Sequence, residues 1–176
     1  MSGGGWPDTI GTGWPTTGAT GWAVRALHSP GLSQPREFAP GAQEWLLNNQ
    51  KDDGGWAVDR GHPLSTIGKT SDALMGLACF GAASTHTACK RAADWLLGAR
   101  GSVPAEGFGT TISIEPQGIN PVVENVILFL EASFYAGISP ANAIVKGDLE
   151  WLAGRRLWGN TPRAVWCLSQ YRKWIT

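Results

Sequence analysis

Apolar residues along the chain follow two alternating patterns. Residues 17–28, 70–81, 121–137 and 162–175 are apolar on more than one face, and "VILFL" in the third leaves almost no polar side. Such a pattern predicts helices covered on both flanks. Between them, residues 40–49, 87–99 and 140–153 carry their apolar positions on a single stripe. Ala42, Trp45, Leu46 and Asn49 mark the stripe in the first, and Ala92, Trp95, Leu96 and Ala99 mark it in the second. These are one-sided, amphipathic outer helices. Pro121 and Pro162 suit first-turn positions, with Asn120 and Thr161 as caps. Gly81 and Gly137 read as helix stops. No segment alternates with a period of two, so the pattern predicts an all-α chain of alternating inner and outer helices.

The pattern also repeats. Trp6, Trp56, Phe108 and Trp158 each stand beside glycine, with gaps of 50, 52 and 50 residues. A second ladder runs through Trp45, Trp95 and Trp151, with gaps of 50 and 56. Two markers with nearly one period define a repeat architecture. Four inner and three outer helices make about three and a half helix-pair units. The stretch "WLLNNQKDDGGW" reads as a clasp between the layers. Gln50 lies just beyond an outer helix, where its amide is expected to donate to the last carbonyls and stack on an indole. Gly54 and Gly55 supply a positive-φ turn, and Trp56 fills the gap between units.

At 176 residues the chain has the length of one domain, covering 1–176, with room for a sizeable core. Fourteen basic residues balance fourteen acidic ones, which removes support for nucleic-acid or acidic-membrane binding. Ten tryptophans argue against disorder. The most apolar stretch, 122–137, is interrupted by Glu124, Asn125 and Glu131, so no transmembrane segment is expected. The opening "MSGGGWPDTI" lacks a basic-then-apolar leader. Cys79, Cys89 and Cys167 are odd in number and lack C-x-x-C spacing, which fits reduced thiols in the cytoplasm.

Candidate chemistry is sparse. Asp52 and Asp53 suggest a diphosphate–magnesium site but fall in the clasp turn and read as solvated. Cys79, His86 and Cys89 invite a zinc reading, yet three ligands must converge and here they straddle a helix end, a loop and a helix start. His86 precedes Cys89 by three residues, a weak hint of an activated nucleophile. No metal and no cofactor are assigned. Glu124 opens the most apolar helix, where the helix dipole stabilises its charge, and Glu115 lies in a loop that could face a ligand opening. Trp14, Trp22 and Trp166 lie in or before inner helices, placed either to face a cavity or to pack the core.

"GAQEWLLNNQKDDGGW" resembles the QW motif of squalene–hopene cyclases, oxidosqualene cyclases and related terpene cyclases, through Gly41, Ala42, Trp45, Leu46, Gln50, Gly54 and Trp56. "RAADWLLGARGSVPAEGF" is a weaker copy, with Arg100 for Gln and Phe108 for Trp. "KGDLEWLAGRRLWG" keeps Lys146, Gly147, Trp151 and Leu152. The resemblance implies the α/α-toroid fold of terpene cyclases and protein prenyltransferases, here as an incomplete ring. Triterpene cyclases protonate their substrate with an Asp-rich motif entering an inner helix. In "TIGKTSDALMGL", Thr70 matches the motif's Thr, while Thr66, Ile67, Gly68 and Lys69 stand where carboxylates belong.

The expectation is therefore an accessory, non-catalytic module that binds an isoprenoid-like molecule or a protein on its inner-helix surface. Trp14, Trp22, Thr70, Glu115, Glu124 and Trp166 are the candidate ligand-binding residues. Trp45, Gln50, Gly54, Gly55, Trp56, Trp95, Phe108, Trp151 and Trp158 are the structural clasp. The alternative is a half-toroid subunit of a cyclase or prenyltransferase, completed by a homodimer or a partner chain.

Overall fold

A computed structural model describes residues 3–8, 13–28, 41–81, 86–102, 121–154 and 161–175. The described residues form seven helices: α1 (Thr17–Leu27), α2 (Ala42–Asn48), α3 (Ile67–Ala78), α4 (Thr87–Gly101), α5 (Pro121–Tyr135), α6 (Ala143–Ala153) and α7 (Thr161–Ile175). They contain no strand, and a lone bridge pairs Pro7 with Pro15. The chain is all-α. Among these residues, no helix is long and apolar enough to cross a membrane.

The odd-numbered helices form one layer, in which α1 packs on α3, α3 on α5 and α5 on α7. Each even-numbered helix packs against the odd-numbered helices before and after it in the chain. The two apolar patterns follow this arrangement for α3 and α5, which have odd-numbered neighbours on both sides. Helices α1 and α7, also expected to be covered on both flanks, each have one such neighbour, and α7 buries a single stripe. Leu74, Met75, Leu77, Val126, Ile127, Phe129 and Leu130 on α3 and α5 are buried, while α2 and α4 bury mainly the stripes led by Leu46 and Leu96.

Two predicted starts move by three residues. The third helix in sequence begins at Ile67, not residue 70, because the Thr66 side chain accepts from the Lys69 N–H and caps it there. The helix expected from residue 140 begins at Ala143, where the Asn142 side chain accepts from the Ile144 and Val145 N–H groups. Gly81 and Gly137 adopt positive φ just after α3 and α5, as helix stops do.

The repeat persists at the level of single hydrogen bonds. The Trp6 N–H donates to Thr20 Oγ1 at 2.9 Å, and fifty residues on the Trp56 N–H donates to Thr70 Oγ1 at the same distance. Thr16 N–H returns to the Trp6 carbonyl at 2.8 Å and Thr66 N–H to the Trp56 carbonyl at 2.9 Å. Close approach repeats as well. A Cβ on Gly5 would lie 2.6 Å from the Trp45 ring, and one on Gly55 would lie 3.0 Å from the Trp95 ring. Only glycine lets these segments cross the indole of an even-numbered helix.

Gln50 acts differently from the sequence expectation. Its amide donates to Gly54 O and to Ala88 O, both at 2.8 Å, so it spans to the next even-numbered helix. Capping of its own helix falls to Asn49, whose Nδ2 donates to Trp45 O at 2.7 Å. Asp53 is also part of the clasp. Its Oδ1 accepts from Gly55 N and Ser65 Oγ, and its Oδ2 accepts from the Trp95 indole at 3.1 Å. In the second copy Arg100 stands where Gln would be and does the same job ionically. It pairs in a fork with Asp148 on α6, with Nε to Oδ2 at 2.8 Å, and both side chains are buried. Trp151 is half-buried against the main core. Phe108 and Trp158 lie outside the described residues.

Trp56 is fully buried, with its indole N–H on the Leu46 carbonyl at 2.8 Å. Trp56→Ala should therefore cost roughly 3–5 kcal/mol, the range for large aromatic truncations in a core. Chemical denaturation should show the loss as a lower midpoint at nearly unchanged slope. A midpoint equal to wild type would show that the indole is not a structural plug.

Candidate functional site: an ionic cluster across the odd-numbered layer

Side chains from all four odd-numbered helices meet on one face. Glu131 of α5, only 3 % exposed, accepts from Arg163 of α7 at 2.7 and 3.2 Å and from Arg25 of α1 at 3.5 Å. Arg163 also pairs with Glu124, in the first turn of α5. Burial works against the Arg163 charge, but Glu131 and Glu124 outweigh it and hold the guanidinium above its ordinary range. Two cations lie near the ring of Trp22 on α1. Arg25 sits 4.6 Å and Arg163 5.4 Å from its ring centroid, both within cation–π range.

Asp72 of α3 completes the cluster, and sequence reading passed over it. It is 4 % exposed, with Lys69 Nζ at 3.7 Å from Oδ2. Its Oδ1 has no hydrogen-bond partner among the described residues. α1 covers it because Gly21 lacks a side chain: a Cβ there would lie 2.4 Å from the Asp72 carbonyl oxygen. Burial pushes the Asp72 carboxyl up to about 7, against the pull of Lys69, Arg25 and Arg163. The signal that would have found it is register. Asp72 lies 50 residues after Trp22 and 52 before Glu124, the spacings of the repeat itself. Successive odd-numbered helices thus present Trp22, Asp72 and Glu124 at equivalent positions.

The other candidates divide. Trp22 and Glu124 belong to the cluster. Thr70 is fully buried with its hydroxyl taken by the Trp56 N–H. Trp166 is half-buried, edge-on to Phe134 at 5.6 Å and stacked on Tyr135 at 6.1 Å. Trp14 is 84 % exposed and lines a cleft beside Trp45. Glu115 lies outside the described residues. Among the described residues no three metal-ligating groups come together. Burial pushes the Cys89 thiol up to about 11, and His86 Nδ1 accepts from the Ala88 N–H at 3.2 Å as a helix cap. That histidine is thereby engaged away from thiol activation.

Chemically, the cluster offers paired charges, one indole and a carboxylic acid that is largely neutral below pH 7. No protein-family model matches the chain, and no curated protein matches it.

The raised Asp72 pKa fixes a sign for pH dependence. The folded-state value of about 7 exceeds the ordinary 3.8, so the fold binds a proton that the unfolded chain releases. This contribution is complete below pH about 4 and is lost as pH rises through about 7. Thermal melts from pH 4 to 8 should show a downward component in wild type that flattens in Asp72→Asn. Identical pH profiles for the two proteins would show that Asp72 titrates normally.

Proposed function

We propose that the chain is an accessory, non-catalytic binding module of the α/α-toroid kind, similar to squalene and terpene cyclases, which takes a protein partner on its odd-numbered layer. The observation that carries this reading is the ionic cluster. Arg25, Lys69, Asp72, Glu124, Glu131 and Arg163 occupy the face on which an apolar isoprenoid would have to lie. Asp72 and Glu131 are buried and the other four partly so. Covering such charges with a hydrocarbon costs several kcal/mol per buried ion left uncompensated. A protein surface with its own polar groups can meet such a face, and exposed Trp22 (45 %) and Val165 (56 %) supply apolar contact at its two flanks. A second copy of the chain, or a half-toroid of other sequence, has the right chemistry.

Sedimentation velocity at micromolar concentration tests it. We expect a species of at least twice the 18.7 kDa chain mass, shifted toward monomer by Val165→Asp. A monomer that binds no apolar dye would remove the support of the exposed residues.

A second reading is a half-toroid subunit of a cyclase, and Asp72 is what favours it. A carboxyl kept neutral by burial is a proton donor in principle. Lys69 opposes this, since its ammonium disfavours a developing carbocation nearby. Incubating the pure protein with squalene and analysing products by gas chromatography should give no polycyclic product. Product formation that disappears in Asp72→Asn would establish the enzyme reading in its place.

A further inference from the structure

A second site lies away from the ionic cluster, in a cleft of about 800 Å³. Four segments build it: Gly3, Trp14–Pro15 before α1, Glu44 to Asn49 on α2 and its end, and the turn Asp59–Gly61. Its volume is within the roughly 300–1,000 Å³ of small-molecule sites. We propose that this cleft binds a neutral oligosaccharide.

The walls are fixed by short-range bonds. Thr16 Oγ1 donates to Asp8 Oδ1 at 2.7 Å, and Thr16 N–H reaches the Trp6 carbonyl at 2.8 Å, which anchors the residue next to Trp14–Pro15. Thr17 N–H donates to Val58 O at 2.8 Å and ties the Asp59 turn to the start of α1. Asp59 Oδ1 accepts from the Gly61 and His62 N–H groups at 2.7 and 3.1 Å, so the turn is closed on itself. The Trp45 ring is backed by Gly5, where a Cβ would lie 2.6 Å from both that ring and Pro15.

The lining chemistry selects the ligand. Trp14, at 84 % exposure, presents an indole face that nothing in the described chain covers. Trp45 adds a half-buried second indole. A pyranose ring has one face of C–H groups that lies on an indole and a rim of hydroxyls that needs planar acceptors and donors. Glu44, Asn48 and Arg60 are exposed around these rings and supply paired oxygens and nitrogens for vicinal hydroxyls. Asn49 spends an N–H on Trp45 O and keeps its amide oxygen for a ligand. An apolar chain would leave these groups without partners. An anion would face Glu44 and Asp59. A quaternary ammonium would suit two indoles and a carboxylate, but Arg60 stands in the wall and Asp59 is already paired with His62 at 3.0 Å. The cleft has room for more than one sugar ring, hence an oligosaccharide.

Calorimetric titration of the full chain with cellohexaose, chitohexaose, maltohexaose and xylohexaose tests the assignment, with tryptophan emission recorded in parallel. At least one should bind with Kd near or below about 1 mM and shift the emission to the blue. Trp14→Ala should weaken that binding at least about tenfold while the unfolding midpoint stays in place, since the ring is exposed. Asn48→Ala, a second exposed site, should also weaken it, so that one misfolded variant would not decide the matter. Absence of heat and shift with all four sugars would overturn the proposal. So would sugar binding undiminished in both variants, or tetramethylammonium binding in preference to every sugar. Each readout is independent of self-association through the odd-numbered layer.

Discussion

The hydrogen bond from the Trp56 N–H to the Thr70 hydroxyl orders much of what surrounds it. A loop that enters a helix layer must satisfy its backbone groups there, because burying one unpaired costs on the order of 1–3 kcal/mol. Thr70 is fully buried and offers a side-chain hydroxyl as the acceptor, since the helix carbonyls are engaged in its own ladder. Once the N–H is met, the indole can lie between the layers with its own N–H on the Leu46 carbonyl. Thr66 N–H then returns to the Trp56 carbonyl, and its side chain caps α3. One loop residue thereby sets the start of the next helix and its distance from the previous one. Trp6, Thr16 and Thr20 solve the same problem fifty residues earlier with the same bonds.

The link between successive even-numbered helices is conserved in geometry and not in chemistry. Gln50 crosses to Ala88 O at the start of α4, while Arg100 crosses to Asp148 on α6. A neutral amide meeting a carbonyl needs no compensating charge. A guanidinium in the same role needs a carboxylate, and the fork to Asp148 supplies it with two parallel bonds. Here loss of the glutamine is matched by an acid on the next even-numbered helix. Asp53 binding the Trp95 indole extends the logic, since it ties the clasp turn to the body of the following helix.

Much of this was legible in the sequence because it is local or periodic. The apolar patterning located all seven helices, and the spacing of Trp6, Trp56, Trp45 and Trp95 revealed the unit. What escaped depends on distant partners. Nothing near Gln50 says that its amide reaches Ala88, 38 residues away. The apolar pattern starts this helix at residue 70 and leaves Thr66 outside it, yet the Thr66 side chain meets the Lys69 N–H three residues on and the helix starts directly after it. Asp72 was hidden by the same error of register. Counted from Thr70 as the helix start, it falls among apolar residues without a role. Counted by the repeat, it shares a position with Trp22 and Glu124.

That shared position explains why charge gathers on the odd-numbered layer at all. Each odd-numbered helix turns one strip away from its neighbours, and in three successive units that strip carries Trp22, Asp72 and Glu124. Asp72 and the neighbouring Glu131 are buried, and a buried carboxylate is costly without a partner. Arg163 and Arg25 answer Glu124 and Glu131 from the two helices on either side of α3 and α5, and Lys69 answers Asp72 from one turn away. Trp22 joins without a charge of its own, because an indole face attracts both guanidinium groups. Such a network adds little net stability once desolvation is counted, but removing one member strands the others. Its consequence is selectivity: α1 and α7 must sit where their cations reach the same glutamate, and any surface that docks over them must match an alternating pattern of charge.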